Sequence, residues 1–358
     1  MDDKNTFSLN PIPFSLGSGI VKKEIKKIIT NKTKSRDQVL FIVDKFFQSS
    51  FKFNFSSRKI YFYYLDSSEP TTDGIQNLMR HFKSSIEKPK IIFGIGGGVV
   101  LDTAKAISNL YNNPGNPSKY QGWDLLNNPG IYKVGIPTIS GTGAEASRTC
   151  VLINSKTGLK LGMNSNFTYF DYLILDYGLT KSVPKNLFFQ TLSDAYFHAM
   201  ELIEGRYRNE IADDYALLAL RHLDEIFKSN RLKSDLNRRK AMLASYYAGF
   251  AISLSMVGLV HPVSASIGKV FDIPHTKANL LAFKGVKEFY KERWKELNSY
   301  FVKHDQSYPT LDNKIDKSII NNLINLTIVH EKPLSNMLGP SYKRILNKAK
   351  LINIFESI

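Results

Sequence analysis

At 358 residues, with 43% apolar and 22% charged side chains, the chain has the composition of a globular protein and the length for two domains. A single cysteine, Cys150, excludes an intramolecular disulfide and fits a reducing, cytoplasmic setting. The net charge of +16 is spread along the chain without a dense basic run or a nucleic-acid motif, which argues against a nucleic-acid partner and suits an anionic small substrate.

No charged segment followed by an apolar stretch opens the sequence, so no secretory leader is expected. Val39-Leu40-Phe41-Ile42-Val43, ending at Asp44, is the first continuous apolar run and predicts a buried parallel strand. Further strands are expected over residues 60–65, 91–95, 132–136 and 172–175, with a helix over 72–86. This alternation predicts an α/β domain over residues 1–183, with helices covering a mainly parallel sheet. Around Pro184 the pattern changes to long apolar-periodic stretches, and residues 184–358 are expected to form an all-helical domain. Residues 241–268 carry no Asp, Glu, Lys or Arg, yet their Ser, Tyr and Gly content and the His261-Pro262 break favour a buried helix over a membrane span.

The third strand runs into Gly96-Gly97-Gly98-Val99-Val100-Leu101-Asp102-Thr103-Ala104-Lys105. Glycines between a strand and a helix let the backbone approach a pyrophosphate at the helix N-terminus. Asp44 is placed to accept from an adenosine ribose, favouring NAD over NADP; its alternative is a helix cap. Thr138, Thr142 and Ser147 offer hydroxyls to a cofactor, or to turns. Arg148, with Arg206 or Arg208, is a candidate fork for a substrate carboxylate.

In the helical half, Asp194 and His198 stand at i and i+4 of an apolar run and share one helix face. Together with His261 and His275 they form a carboxylate and three imidazoles, a set that suits Fe²⁺ or Zn²⁺ and leaves a position for a substrate oxygen. The alternative is a group of hydrogen-bonded core residues. His81, His222, His304 and His330 fall outside this spacing and are expected to pack or lie at the surface.

Taken in order, the glycine segment 96–105, Pro137-Thr138-Ile139-Ser140-Gly141-Thr142-Gly143-Ala144-Glu145, Asp194-x-x-x-His198, His261 and Pro274-His275 resemble the iron-containing (group III) alcohol dehydrogenase family. The resemblance covers nearly the whole chain. It implies an N-terminal Rossmann-like nucleotide-binding domain, an all-α C-terminal metal-binding domain in the dehydroquinate synthase-like arrangement, and an active site in the cleft between them. It also implies a divalent metal held by Asp194, His198, His261 and His275, an NAD cofactor and a homodimer. Gly97, Gly98, Val99, Asp102 and Leu179 join the cofactor set by resemblance, and Lys160 matches a family lysine near cofactor and substrate, with catalytic weight.

Tyr120-Gln121-Gly122-Trp123-Asp124-Leu125-Leu126, residues 136–149 and Glu288-Phe289-Tyr290 further resemble the branch that oxidises C8 of 3-deoxy-D-manno-octulosonate (Kdo) to an aldehyde, the substrate of a pyridoxal-phosphate aminotransferase in lipopolysaccharide synthesis. The chain departs from the family at Ala265, where many members carry a second histidine, and from the branch at Pro274. Alternative functions are a generic NAD(P)-dependent alcohol or aldehyde dehydrogenase, a dehydroquinate synthase-like cyclase or lyase, and a non-catalytic binding protein.

Overall fold

Apolar runs long enough to be buried on both faces make the central strands of the first unit, seen in a computed structural model that describes residues 11–51, 59–66, 68–311 and 315–358. Its strands are β1 (Phe14–Gly17), β2 (Gln38–Asp44), β3 (Lys59–Leu65), β4 (Ile91–Gly96), β5 (Gly122–Trp123), β6 (Tyr132–Pro137), β7 (Thr149–Ile153), β8 (Lys160–Asn164) and β9 (Tyr172–Asp176). Six of them form a parallel sheet in the order β1-β9-β6-β4-β2-β3, and β5, β8 and β7 form a second, small sheet. Val39 pairs with Ile60 on one side and Ile91 on the other, so β2 and β4 are flanked and lose all solvent contact from Val39 to Val43. Phe62, Phe41 and Phe93 stack across β3, β2 and β4 with ring centroids 4.8 and 4.6 Å apart, a cross-strand ladder that fixes register.

Helices α1 (Val21–Lys32), α2 (Thr72–Ser85) and α3 (Gly98–Asn112) connect these strands. The α2 helix starts where Thr71 Oγ1 accepts the Gly74 N–H at 2.9 Å. Every expected strand is present. The sequence reading missed β1, β5, β7 and β8.

The chain divides into two compact units, and the division does not follow a single cut. The first runs to Thr138 and takes in Ala144–Ile153 and Leu161–Leu179; the second contains Ile139–Gly143, Asn154–Lys160 and Thr180–Ile358. The second unit therefore includes two short segments that the expected 1–183 domain would have claimed.

The second unit is helical: α4 (Lys185–Glu204), α5 (Glu210–Lys228), α6 (Asp235–Leu254), α7 (Val260–Phe271), α8 (His275–Gly285), α9 (Lys291–Lys303), α10 (Lys317–Ile328), α11 (Glu331–Leu338), α12 (Tyr342–Ile345) and α13 (Lys348–Glu356). The α4 helix passes through its core, with an unbroken buried stretch from Thr191 to Leu202. A helix buried all round has no polar face to betray it, so its Asp and His stand out only as polar residues in apolar sequence.

The charge-free run 241–268 is two helices rather than one, since α6 ends at Leu254 and α7 begins at Val260. Pro262 lies in the first turn of α7, where a missing N–H costs nothing. Among the described residues no helix is long and apolar enough to cross a membrane.

Candidate active site

The α4 helix sets the first two polar groups. Asp194, 1% exposed, and His198, one turn later, face the same way, with His198 Nε2 3.7 Å from Asp194 Oδ1. The N-terminal turn of α7 brings His261 Nε2 to 3.6 Å from the same oxygen, and the first residue of α8 brings His275 Nε2 to 3.8 Å. Three imidazole nitrogens thus surround one carboxylate oxygen at nearly equal distances, beyond hydrogen-bond reach. Tetrahedral metal bonds of about 2.1 Å put neighbouring ligand atoms about 3.4 Å apart, so the spacing fits a shared divalent ion. Asp194, His261 and His275 each offer one ligand atom with all three within 4.8 Å of one another; His198 meets Asp194 but falls outside that mutually close trio.

The polar atoms of this cluster confirm that hydrogen bonding does not complete it. Asp194 Oδ2 and His261 Nε2 are buried without a hydrogen-bond partner, although buried polar atoms as a rule have one. Burial alone would raise the Asp194 pKa, but the surrounding imidazoles outweigh it and hold the carboxyl well below its usual range. Burial pulls His198 down to about 3 against the attraction of Asp194, leaving it neutral and able to ligate. His261 goes the other way: burial lowers it, yet Glu201 and Asp194 together push it up to about 9.

Three neighbours of the cluster had no assigned role in the sequence reading. Glu201, fully buried one further turn along α4, accepts from His261 Nδ1 at 2.5 Å. Asn279, one turn after His275 in α8, donates through Nδ2 to Asp194 Oδ1 at 2.7 Å and lies 3.2 Å from His275 Nε2. Tyr290 donates its hydroxyl to Glu201 Oε1 at 3.1 Å. The available signal was helical spacing, because Glu201 stands at i+7 from Asp194 and Asn279 at i+4 from His275. Ala265 carries no polar group, and Pro274 is the N-cap of α8.

The nucleotide candidates in the first unit cluster at the C-terminal end of the sheet. Gly97 caps α3 without any side chain accepting its first N–H groups, and the helix starts at Gly98 and Val99 directly after β4. That leaves the amide nest and helix dipole that anions seek. On one side, the Thr138 N–H donates to Gly96 O at 3.1 Å, bringing the buried end of β6 beside the turn. On the other side, β2 ends at Asp44, and its Oδ1 accepts the Phe46 N–H at 3.0 Å, so the cap role is real while the residue keeps its place beside the glycine turn.

Several expected cofactor contacts have structural duties. Asp102 Oδ2 accepts the Val151 N–H at 3.1 Å, and Ser147 Oγ donates to Thr149 O at 3.2 Å. Leu179 packs against the apolar core of the sheet. Lys160 opens β8 half-buried. The fully buried Lys105 Nζ donates to Ala144 O, Ser147 O and Thr149 O at 2.5, 2.8 and 2.9 Å, lacing the 144–149 turn together. In the second unit, Gly141 and Gly143 flank Thr142 with φ of 140° and 65°, and both donate their N–H to Ser245 Oγ at 2.8 and 3.2 Å. A side chain at Gly141 would place Cβ 1.8 Å from Thr191 O, so only glycine fits.

Two arginines of the expected fork have partners within the protein. Arg148 pairs with Asp124 and lies over the Trp123 ring, and Arg208 donates twice to Asp213, so both guanidinium groups are engaged within the protein. Arg206 is exposed, with its guanidinium against Gly339. Two of the other histidines pack as expected, since His304 bonds Phe227 O at 2.6 Å and His222 stacks on Tyr247, while His81 is exposed.

Comparisons with known proteins agree with this architecture. Residues 19–177 match the family described as iron-containing alcohol dehydrogenase, and residues 188–326 match the C-terminal part of the same family. The chain is 35% identical over 211 residues to a sulfoacetaldehyde reductase of Bilophila wadsworthia, covering 58% of this chain and 54% of that protein. It is 31% identical over 241 residues to a 1-propanol dehydrogenase of Citrobacter freundii, covering 66% and 61%. Thus the chain spans little more than half the length of the curated relatives it matches. The crystal structure of a sulfoacetaldehyde reductase from Bifidobacterium kashiwanohense in complex with NAD⁺ shares the fold, with a TM-score of 0.78 at 20% identity over 97% of this chain and 96% of that one. With both halves matched in order, the chain belongs to the iron-containing alcohol dehydrogenase family.

Proposed function

We propose that the protein is a metal-dependent, nicotinamide-linked oxidoreductase that interconverts a primary alcohol and an aldehyde, with an anionic substrate. The observation that carries this reading is the equal 3.6–3.8 Å spacing of His198, His261 and His275 around Asp194 Oδ1, beside buried lone pairs without partners. Asp194, His198, His261 and His275 would hold the ion. A divalent metal there supplies the Lewis acidity that lets a hydroxyl lose its proton near neutral pH. In the other unit, Gly97, Gly98 and Val99 would bind the cofactor pyrophosphate, and the Asp44 carboxylate would favour a ribose hydroxyl over a phosphate, hence NAD. Asn279 and Glu201 orient the ligand set, and the Gly141–Gly143 turn holds Thr142 in a fixed backbone frame.

The anionic preference is supported by the net charge of +16 and by the relative named for sulfoacetaldehyde. The finer substrate we favour is Kdo, oxidised at C8 to an aldehyde for a pyridoxal-phosphate aminotransferase. Its support is the likeness of residues 120–126, 136–149 and 288–290 to that branch. The test is NADH formation, or consumption in reverse, by metal-loaded protein with Kdo, sulfoacetaldehyde, 1-propanol and 1,3-propanediol. Turnover of one or both anionic compounds at least tenfold above the neutral alcohols is expected. Equal turnover of 1-propanol removes the anionic preference, and no nicotinamide-dependent turnover of any of them removes the oxidoreductase reading.

A further inference from the structure

The start of α7, after the break from α6, is met by side chains from elsewhere in the helical unit. Glu201 on α4 turns its two oxygens to different tasks. Oε1 accepts the Val260 N–H at 2.5 Å, the first free amide of α7, together with the Tyr290 hydroxyl at 3.1 Å. Oε2 faces His261 Nδ1 at 2.5 Å. Tyr290 is itself fixed, because its oxygen accepts the Leu259 N–H at 3.1 Å. Room for this arrangement comes from Gly258, where a Cβ would stand 2.8 Å from the Tyr290 hydroxyl and 3.0 Å from Glu201 Oε1.

Imidazole nitrogens have complementary roles. If Nδ1 carries the proton and donates it, Nε2 keeps a lone pair, and Nε2 is the atom 3.6 Å from Asp194 with no hydrogen-bond partner. We propose that Glu201 is a positioning residue that fixes His261 with Nδ1–H as donor and Nε2 as ligand, using a carboxylate anchored by the α7 N-terminus and the Tyr290 hydroxyl. This rests on the metal-centre reading above. Carboxylate partners of ligating histidines typically govern metal affinity by about 10- to 100-fold.

The isosteric change Glu201→Gln separates this role from simple packing. Gln Oε1 can still accept the Val260 N–H and the Tyr290 hydroxyl, and this leaves Nε2, a donor, facing His261 Nδ1. That reverses the polarity of the bond and favours the tautomer with its proton on Nε2, where the metal should bind. Zn²⁺ affinity, measured by chelator competition on full-length protein, is expected to fall about 10- to 100-fold in E201Q. Metal-free E201Q should stay folded, though less stable for the lost Glu201–His261 bond. In a His261→Ala background the same change should cost no further affinity.

Failure of the wild-type protein to bind Zn²⁺ would overturn the metal-centre reading itself. Tight binding by wild type and E201Q alike would overturn the positioning role alone, as would an equal loss in the H261A background. If E201Q does not fold, Tyr290→Phe decides. It removes one of the bonds anchoring the carboxylate and should weaken Zn²⁺ binding several-fold, and wild-type affinity in that variant would overturn the proposal.

Discussion

Each unit of the molecule buries a cluster of polar groups, and the two clusters are finished differently. In the sheet unit, the Lys105 ammonium is enclosed by Ala144 O, Ser147 O, Thr149 O and Ser147 Oγ. An ammonium has three protons to give, and these acceptors take them all. In the helical unit, Asp194 Oδ2 and His261 Nε2 are buried with no partner, and the surrounding groups converge on one point. A buried polar group with its bonding complete is part of the scaffold. One whose polar atoms converge on a point without partners is a receptor. The contrast between the two clusters therefore lies in convergence: in the helical unit three imidazole nitrogens meet around one carboxylate oxygen, Asp194 Oδ1.

The sharpest way to break this contrast is to remove one member of each cluster. His275→Ala should reduce metal affinity by more than about 100-fold, and activity with it, while leaving the denaturation midpoint of the metal-free protein nearly unchanged. Metal analysis after gel filtration checks this, and full metal content in the variant would take His275 out of the ligand set. Lys105→Met should do the reverse. It strands buried carbonyl oxygens, each costing about 1–3 kcal/mol, so unfolding stability should fall by several kcal/mol while Zn²⁺ affinity per folded molecule is retained.

A gentler probe is pH, to which the two units should respond with opposite sign. His261 in the folded, metal-free protein is raised to about 9 from an ordinary 6.5 by Glu201 and Asp194, which overcome its burial. The folded state then binds more protons, so the stabilisation is complete below 6.5 and is lost as pH climbs through 9. Lys133 is lowered to about 8 from 10.5 by burial, opposed by Asp171. Here the unfolded chain binds more protons, so the sheet unit gains stability as pH rises from 8 towards 10.5. Hydrogen exchange resolved by unit should show these opposite slopes, and Lys133→Met should flatten the second. The smallest effect is expected at Asp44, where alanine should narrow the preference for NAD over NADP roughly tenfold by removing carboxylate–phosphate repulsion. A wild-type preference for NADP in initial-rate assays would show that the position has been misread.

The strands β2 and β4 were legible because each is an apolar run of five residues, Val39 to Val43 and Ile91 to Ile95. The strand β1 has four residues, β5 has two, β8 mixes polar and apolar positions, and β7 offers only a four-residue apolar run, Cys150 to Ile153. The shared helix face of Asp194 and His198 was legible from their spacing, whereas the approach of His261 and His275 to them was suggested by residue type and resemblance alone. The place of the break in residues 241–268 was not legible, and the groups that receive the amides at the start of α7, Glu201 and Tyr290, come from α4 and from beyond α8. The Arg148–Asp124 pair was hidden for a similar reason, since nothing in the sequence marks the two residues as partners. Sequence reports what a residue is capable of, and three-dimensional neighbours decide which capability remains available.

The division into units carries a consequence for how the protein is made. The chain leaves the sheet unit after Thr138, returns at Ala144, leaves again after Ile153, returns at Leu161 and departs for good after Leu179. On a ribosome the first two excursions, Ile139–Gly143 and Asn154–Lys160, emerge long before the helices that receive them, including α6 with Ser245. The Gly141 and Gly143 amides gain their Ser245 partner only when that later sequence arrives, which works against one-domain-at-a-time assembly. Such long-range closure favours slow, concerted maturation and prolonged exposure to chaperones and proteases. For the same reason, a fragment cut at residue 183 would inherit two loops with nowhere to go.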